Sequence, residues 1–405
     1  MVPDGWRRVP LKTVAEVRSG VAKGKTGLKD PIVVPYLRVA NVQDGHVNLE
    51  EVKEIQIERD KLERYSLKAG DVLMNEGGDF DKLGRGDVWR GQIDPCVHQN
   101  HVFAVRTQAE NLNPFFLAAL AASSYGKTYF LSCAKRSTNL ASINSTQIKE
   151  FPVLVPPLPE QKKIALILSL WDKAIATTEE LLANSLQQKK ILMQQLLSGK
   201  KRLLDSRGVR FSGEWRLIPI SNFVRESRVL GTSGDIAKKI TVKLYGNGVF
   251  AKNEKRAGSE STKYFKRSAG QFIYSKLDFL NGAFGVIPSD LDGYESTLDL
   301  PAFDFLDGVC VSWFVFFVSR EEFYTANLGL ANGGRKARRV NPRDFLKIRI
   351  PTPGLEEQQK IAAVLSAADQ EIAVAQRSLD ILKVEKKALM QQLLTGKRRV
   401  NVEVA

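Results

Sequence analysis

MQQLLSGKKRL, residues 193–203, returns as MQQLLTGKRRV, residues 390–400. Pairing Met193 with Met390 sets an offset of 197, and the match then runs backwards without a gap. Leu158, Glu160, Gln161, Lys163 and Ile164 meet Leu355, Glu357, Gln358, Lys360 and Ile361, and Asp172 meets Asp369. Each copy starts after a proline-containing stop (VLVPPLPEQ, IPTPGLEEQ) with acids near its start, and ends in Gly199 or Gly396 followed by basic residues. These are the marks of a helix entrance and exit. Between them, positions 164, 168, 171, 175, 178, 182, 185, 189, 192 and 196 alternate by four and three and define a heptad seam. It holds Ile164, Leu168, Trp171, Ile175 and Leu182, and the second copy places Ile361, Leu365, Ile372 and Leu379 in the same phase. It is imperfect near Ser185 and at Lys189 and Lys386. Two long helices that pair antiparallel are the simplest reading, a rod of roughly 50 Å at about 1.5 Å per residue.

The segments outside the helices are unlike each other, yet their openings echo: DGWRRVPL carries Trp6 and Pro10, GEWRLIPI carries Trp215 and Pro219. The chain therefore divides into a first body (1–157), a first spacer helix (158–199), a second body (200–354), a second spacer helix (355–397) and a tail (398–405). The linker after the first helix finds its counterpart split between the two chain ends, so a pseudo-two-fold arrangement is expected. The fold class is α+β, two globular domains separated by a long antiparallel coiled-coil pair. Strands are expected in PYLRVANV, GHVNLEE, AGDVLMN, HVFAVR and KEFPVLV of the first body, and in KITVKLYG, QFIYSKL, GAFGVIP and CVSWFVFFV of the second. NLNPFFLAALAASSYGKTYF reads as a helical hairpin or as one long helix with a break at its glycine, and SREEFYTANLG as a helix capped by its serine.

With 60 Lys and Arg against 45 Asp and Glu, the chain carries +15 and a pI near 9.6, which points to a polyanionic partner, nucleic acid before a membrane surface. No apolar run reaches membrane-spanning length, and three unpaired-looking cysteines argue against a disulfide scaffold, so a cytoplasmic location and no membrane partner are expected. Charge and loop context single out Lys23, Lys25, Lys82 and Arg85, then Lys135, Arg136 and Asn139, in the first body. In the second they single out Lys255, Arg256, Arg335, Lys336, Arg338 and Arg339. Arg and Lys beside Asn, Gln and Ser combine phosphate anchoring with base-edge reading.

Catalytic chemistry is not legible. No GxGxxG follows a strand, and there is no Walker P-loop, HExxH or GxSxG. Cys96, His98 and His101 form the one metal-like cluster but lack a fourth ligand, so no metal site is expected. Glu76, Asp79 and Asp81 in NEGGDFDKLGRGD suit an Asp- and Gly-coated turn better than a nuclease centre.

DGWRRVPL, YLRVANV, KAGDVLMNEGG, PPLPEQKKIA with its echo GLEEQQKIA, and above all the twin MQQLL endings resemble the specificity subunit of a type I restriction-modification system. The resemblance spans the whole chain. It implies that each body is a target recognition domain reading one half of a split double-stranded DNA sequence, and that the chain is not itself an enzyme. It also implies that the helices set the half-site spacing and dock methyltransferase (M) subunits, which use S-adenosylmethionine to methylate adenine. Restriction (R) subunits using ATP and Mg would join that complex. The residues expected to serve the helix pair and partner docking are Glu160, Gln161, Ile164, Leu168, Trp171, Ile175 and Leu182, with Glu357, Gln358, Ile361, Leu365, Ile372 and Leu379. No cofactor is expected in this chain, and whether the isolated chain self-dimerises stays open. A competing reading is a structural adaptor pairing two partners, with only weak non-specific DNA binding. Identical partners would favour similar bodies, and these are unlike.

Overall fold

A proline-rich stop before each long helix works as a delivery device, and the computed structural model shows how. In the first half, Arg7–Pro10 pairs antiparallel with Pro152–Val155, Arg7 opposite Val155. In the second, Arg216–Pro219 pairs in the same way with Arg349–Thr352. Each two-stranded ribbon hands the chain to a helix within three residues, Leu158–Leu196 and Leu355–Leu393. A 3-10 turn follows each entry strand and buries its first residue, Leu11 or Ile220, completely. The structure describes every residue except 1, 25, 79, 81–82, 85, 137–139, 254–257, 328, 330–338 and 403–405.

Two compact units result, Met1–Glu179 with Arg377–Ala405, and Glu180–Gln376, and the division cuts both long helices. Each unit thus owns the start of one helix and the end of the other. In unit 1, Ile164 and Leu168 share a core with Leu393 and Leu394. In unit 2, Leu196 and Leu197 share one with Ile361 and Leu365. Partner numbers rise on one helix as they fall on the other, so the segments run antiparallel. Every position of the heptad seam is buried or half-buried on both helices. The seam lysines are explained as well. Lys386 binds Asp172 in unit 1, and Lys189 binds Asp369 at 2.5 Å in unit 2, the same pair generated twice by the repeat. Polar seam residues of this kind favour one register over the slipped alternatives.

Outside the helices, the first body centres on the antiparallel strands Ala15–Ser19, Val102–Thr107 and Val72–Asn75. A second sheet joins Pro31–Leu37 to Lys53–Glu58 and, in parallel, to Val97–His98. The second body is built on four strands, Val224–Ser227, Ala302–Phe305, Phe272–Tyr274 and Phe284–Val286, in that spatial order.

Three expectations change. CVSWFVFFV is not a strand: Val311–Val318 is a helix whose Trp313, Phe314, Phe317 and Val318 are buried. A short apolar run rich in β-branched and aromatic residues carries no periodicity that separates a buried strand from a buried helix. The break in NLNPFFLAALAASSYGKTYF falls at Ser123, whose hydroxyl caps Ser124–Cys133 by accepting from the Gly126 amide. Gly126 lies inside that helix, where a Cβ would sit 2.3 Å from the Ala121 carbonyl oxygen, so this glycine serves close packing. Finally, Glu321–Ala326 starts one residue later than expected, with Arg320 at its cap. The guanidinium of Arg320 instead lies over the Phe317 ring at 3.9 Å and donates to the Leu197 carbonyl.

Candidate nucleic-acid interface

The repeated signature residues meet at the helix entrances. In unit 1, Glu160 is buried, accepts from the Trp6 indole N–H at 3.1 Å, and receives both Nε and Nη2 of Arg399, at 2.7 and 2.8 Å. In unit 2, Glu357 accepts from the Trp215 indole at 3.2 Å and from Nε and Nη2 of Arg202, at 2.5 and 2.7 Å. Each arginine also reaches back to a backbone carbonyl before its tryptophan, that of Asp4 or Gly213. Gly199 and Gly396 both hold positive φ, +72° and +69°, the backbone state that lets the chain turn beneath the tryptophan after each helix. So the GK(K/R)R ending, read from sequence as helix punctuation, supplies the arginine of a buried bidentate pair. The basic doublet repeating in register was the signal.

Of the residues expected at the helix pair and its docking surface, Glu160, Gln161, Ile164, Leu168, Glu357, Gln358, Ile361, Leu365 and Leu379 are buried. Trp171, Ile175, Leu182 and Ile372 are half-buried. Gln161 spends its amide on Asn111 and Pro156 carbonyls and accepts from the Asn113 amide; Gln358 donates to the Pro353 carbonyl. Surface left on the helices is of other residues, with Leu166, Leu170, Ile381 and Val384 the exposed apolar ones of unit 1.

Among the basic candidates, Lys23 is exposed, its ammonium 5.8 Å from the centre of the Tyr36 ring. Lys135–Arg136 forms a short exposed strand, paired with Ala141–Ser142, which pairs in turn with Gly77–Gly78. Arg136 donates to the Leu131 carbonyl at 2.8 Å and stands over the Phe80 ring, while Arg339 lies 3.5 Å from Asp299. Lys25, Lys82, Arg85, Asn139, Lys255, Arg256, Arg335, Lys336 and Arg338 lie outside the described residues, as do Asp79 and Asp81. Beside Lys135 and Arg136 opens a cleft of about 560 Å³, lined also by Glu76, Gly77, Gly78, His101, Leu140 and Ser142. Charge alone did not nominate Glu76, His101 or Ser142, because their convergence depends on strand pairing across more than sixty residues.

The Cys96, His98 and His101 cluster is dispersed. Burial pushes the Cys96 thiol up to about 12, and His101 binds the Glu76 carboxylate. His98 is buried against the Val102 carbonyl oxygen at 2.7 Å. Among the described residues no group of three or more His, Cys, Asp or Glu is placed to hold a metal. Burial holds the His98 imidazole down, to about 4. The unfolded chain takes up a proton near pH 6.5 that the folded one refuses, so stability is full above that pH and falls as pH drops toward 4. Denaturant unfolding at pH 7.5 and pH 5 is expected to show a loss of about 2 kcal/mol that a His98→Gln chain lacks.

Residues 3–187 and 314–383 match the family described as Type I restriction modification DNA specificity domain. A chain from Methanocaldococcus jannaschii, named as the specificity subunit of a type I restriction enzyme, MjaX, is 26% identical over 98% of this chain and 95% of its own length. The type I restriction enzyme EcoKI specificity subunit of Escherichia coli is 24% identical over 46% of this chain and 40% of its own. Among solved structures, the HsdS subunit from Thermoanaerobacter tengcongensis superposes with a TM-score of 0.53 at 17% identity, covering 98% of both chains. The type I restriction-modification S subunit from M. genitalium gives 0.56 at 12% identity, covering 96% of both. The duplicated helices, the twin Trp–Glu–Arg nodes and these matches converge: the chain belongs to the type I restriction-modification DNA specificity family.

Proposed function

We propose that this chain is the non-catalytic DNA-recognition subunit of a type I restriction-modification complex and reads a bipartite target, one body per half-site. The observation that carries the reading is a contrast within the molecule. The helix entrances, seam pairs and Trp–Glu–Arg nodes are written twice, while the bodies they hold are different in sheet order and in core. Repeated scaffolding with unlike bodies suits one spacer carrying two different readers. The bodies at 1–157 and 200–354 are then the target recognition domains, and the basic residues of both, Lys135, Arg136 and Arg339 among them, supply sequence-independent attraction to phosphate. The M subunits dock on the outward helix faces and bring S-adenosylmethionine for adenine methylation. R subunits, with ATP and Mg, add translocation and cleavage. A base reached by a methyltransferase must leave the stack, so this chain positions that event and does not perform it.

Methylation mapping in cells carrying this chain with its M subunit tests the proposal. The expected result is a split, adenine-containing motif that disappears when this chain is deleted. A motif independent of this chain overturns it. A sharper form inserts four residues after Glu179 and four after Gln376, where the compact units divide. About 1.5 Å of rise per residue is then expected to lengthen the gap between half-sites by about two base pairs, with both half-sites unchanged.

A further inference from the structure

We propose that Glu76, held by His101, is a specificity-determining residue of the first body and accepts a hydrogen bond from an exocyclic amino group of a DNA base, cytosine N4 or adenine N6. This rests on the reading of the first body as a DNA reader and adds to it a residue and the chemical group it selects.

Two glycines line the cleft next to Glu76. Gly77–Gly78 runs antiparallel to Ala141–Ser142, and a Cβ on Gly77 would stand 2.8 Å from the Ala141 carbonyl oxygen. A side chain at position 77 would clash with that carbonyl, and Gly77 and Gly78 give the cleft lining next to Glu76 no side chain of their own. A flat base edge can therefore come within hydrogen-bond reach. Glu76 itself is tied at both ends of its peptide, its N–H donating to the His101 carbonyl at 2.9 Å and its carbonyl accepting from Ile143 at 2.7 Å. The His101 imidazole then binds its carboxylate, so the side chain is aimed rather than free to swing. Its side chain is 30% exposed, and the residue lines the cleft.

Charge supplies the second part. The cleft walls carry Lys135 and Arg136, both exposed, on a chain of +15. A fixed carboxylate there repels phosphate and weakens indiscriminate binding. The same carboxylate is complementary to an amino edge, since of the common side chains Glu and Asp are the acceptors suited to cytosine N4. Penalising the backbone while rewarding one base edge is how a difference in affinity is made. Leu140, exposed on the rim, adds apolar contact.

The test uses the chain assembled with its M subunit, a pool of duplex DNA randomised across both half-sites, and methyl transfer as the readout. Glu76→Ala is expected to relax preference at one position of one half-site by about ten- to hundred-fold, leaving the other half-site intact. Glu76→Gln, which keeps the shape, is expected to alter preference at that same position. An unchanged motif in both variants overturns the proposal. Equal loss at every position of both half-sites also overturns it, because Glu76 is then structural. If the unaltered chain gives no split motif, the reading of the first body as a DNA reader has failed. A split motif indifferent to both variants defeats the Glu76 assignment alone.

Discussion

Arg202→Ala loosens unit 2 by about 3 kcal/mol, and Arg399→Ala loosens unit 1 by about 2 kcal/mol. Each substitution strands a buried carboxylate, Glu357 or Glu160, that is 3% exposed at its side chain. Removing one partner of a buried ion pair is costly because the other charge stays desolvated. Arg399 keeps 44% of its side chain in solvent against 20% for Arg202, so water already screens the unit 1 pair more and the loss there is smaller. Hydrogen exchange reads the two units separately: Val153–Val155 speeds up in Arg399→Ala and Ile350 and Thr352 in Arg202→Ala. Adding Glu160→Gln to Arg399→Ala is expected to restore part of the loss, since the neutral amide still accepts from Trp6. Acceleration of both ribbons by either variant would show that the nodes are not separate.

Phe272→Ala is expected to cost about 4 kcal/mol, a large part of what a domain of this size possesses. Phe272 is fully buried, and its ring lies 5.5–6.5 Å from those of Tyr274, Phe284, Phe303, Phe314 and Phe345. Truncation leaves a cavity that five rings cannot all move to fill, and forfeits edge and stacking contacts beyond the lost area. Phe272→Leu keeps most of the volume and is expected to cost less than half as much. Denaturant midpoints measure both. Under the proposal of one half-site per body, Phe272→Ala in the assembled complex is also expected to erase one half-site while the other stays in the motif. Loss of both half-sites together would count against one body per half-site.

The helical rod was legible because its information is local and repeated. A seam in one phase across both copies leaves few other packings, and the structure buries or half-buries every one of its positions. Local pattern failed where a segment is apolar on all sides. Val311–Val318 shows no alternation, so its helical state is decided by the Phe223, Phe272 and Phe305 rings packed on it. The candidate site was half legible. Lys135 and Arg136 stand out by charge, while Glu76 and His101 stand out in two separate local clusters and are linked only when pairing of Gly77–Gly78 with Ala141–Ser142 brings them to one cleft.

By itself the sequence determined the duplicated helices, the unlike bodies, the positive charge and the family, since periodicity, repetition and composition need no knowledge of what lies across a sheet. Only the tertiary structure decided why the repeat is written as it is. MQQLLSGKKRL carries Arg202 because the next tryptophan and the next helix entrance require an arginine, as Trp215 and Glu357 show. MQQLLTGKRRV does the same for Trp6 and Glu160, at the other end of the chain. Sequence separation hides that pairing, because a buried charge needs its partner close in space and is indifferent to a separation of 239 positions along the chain.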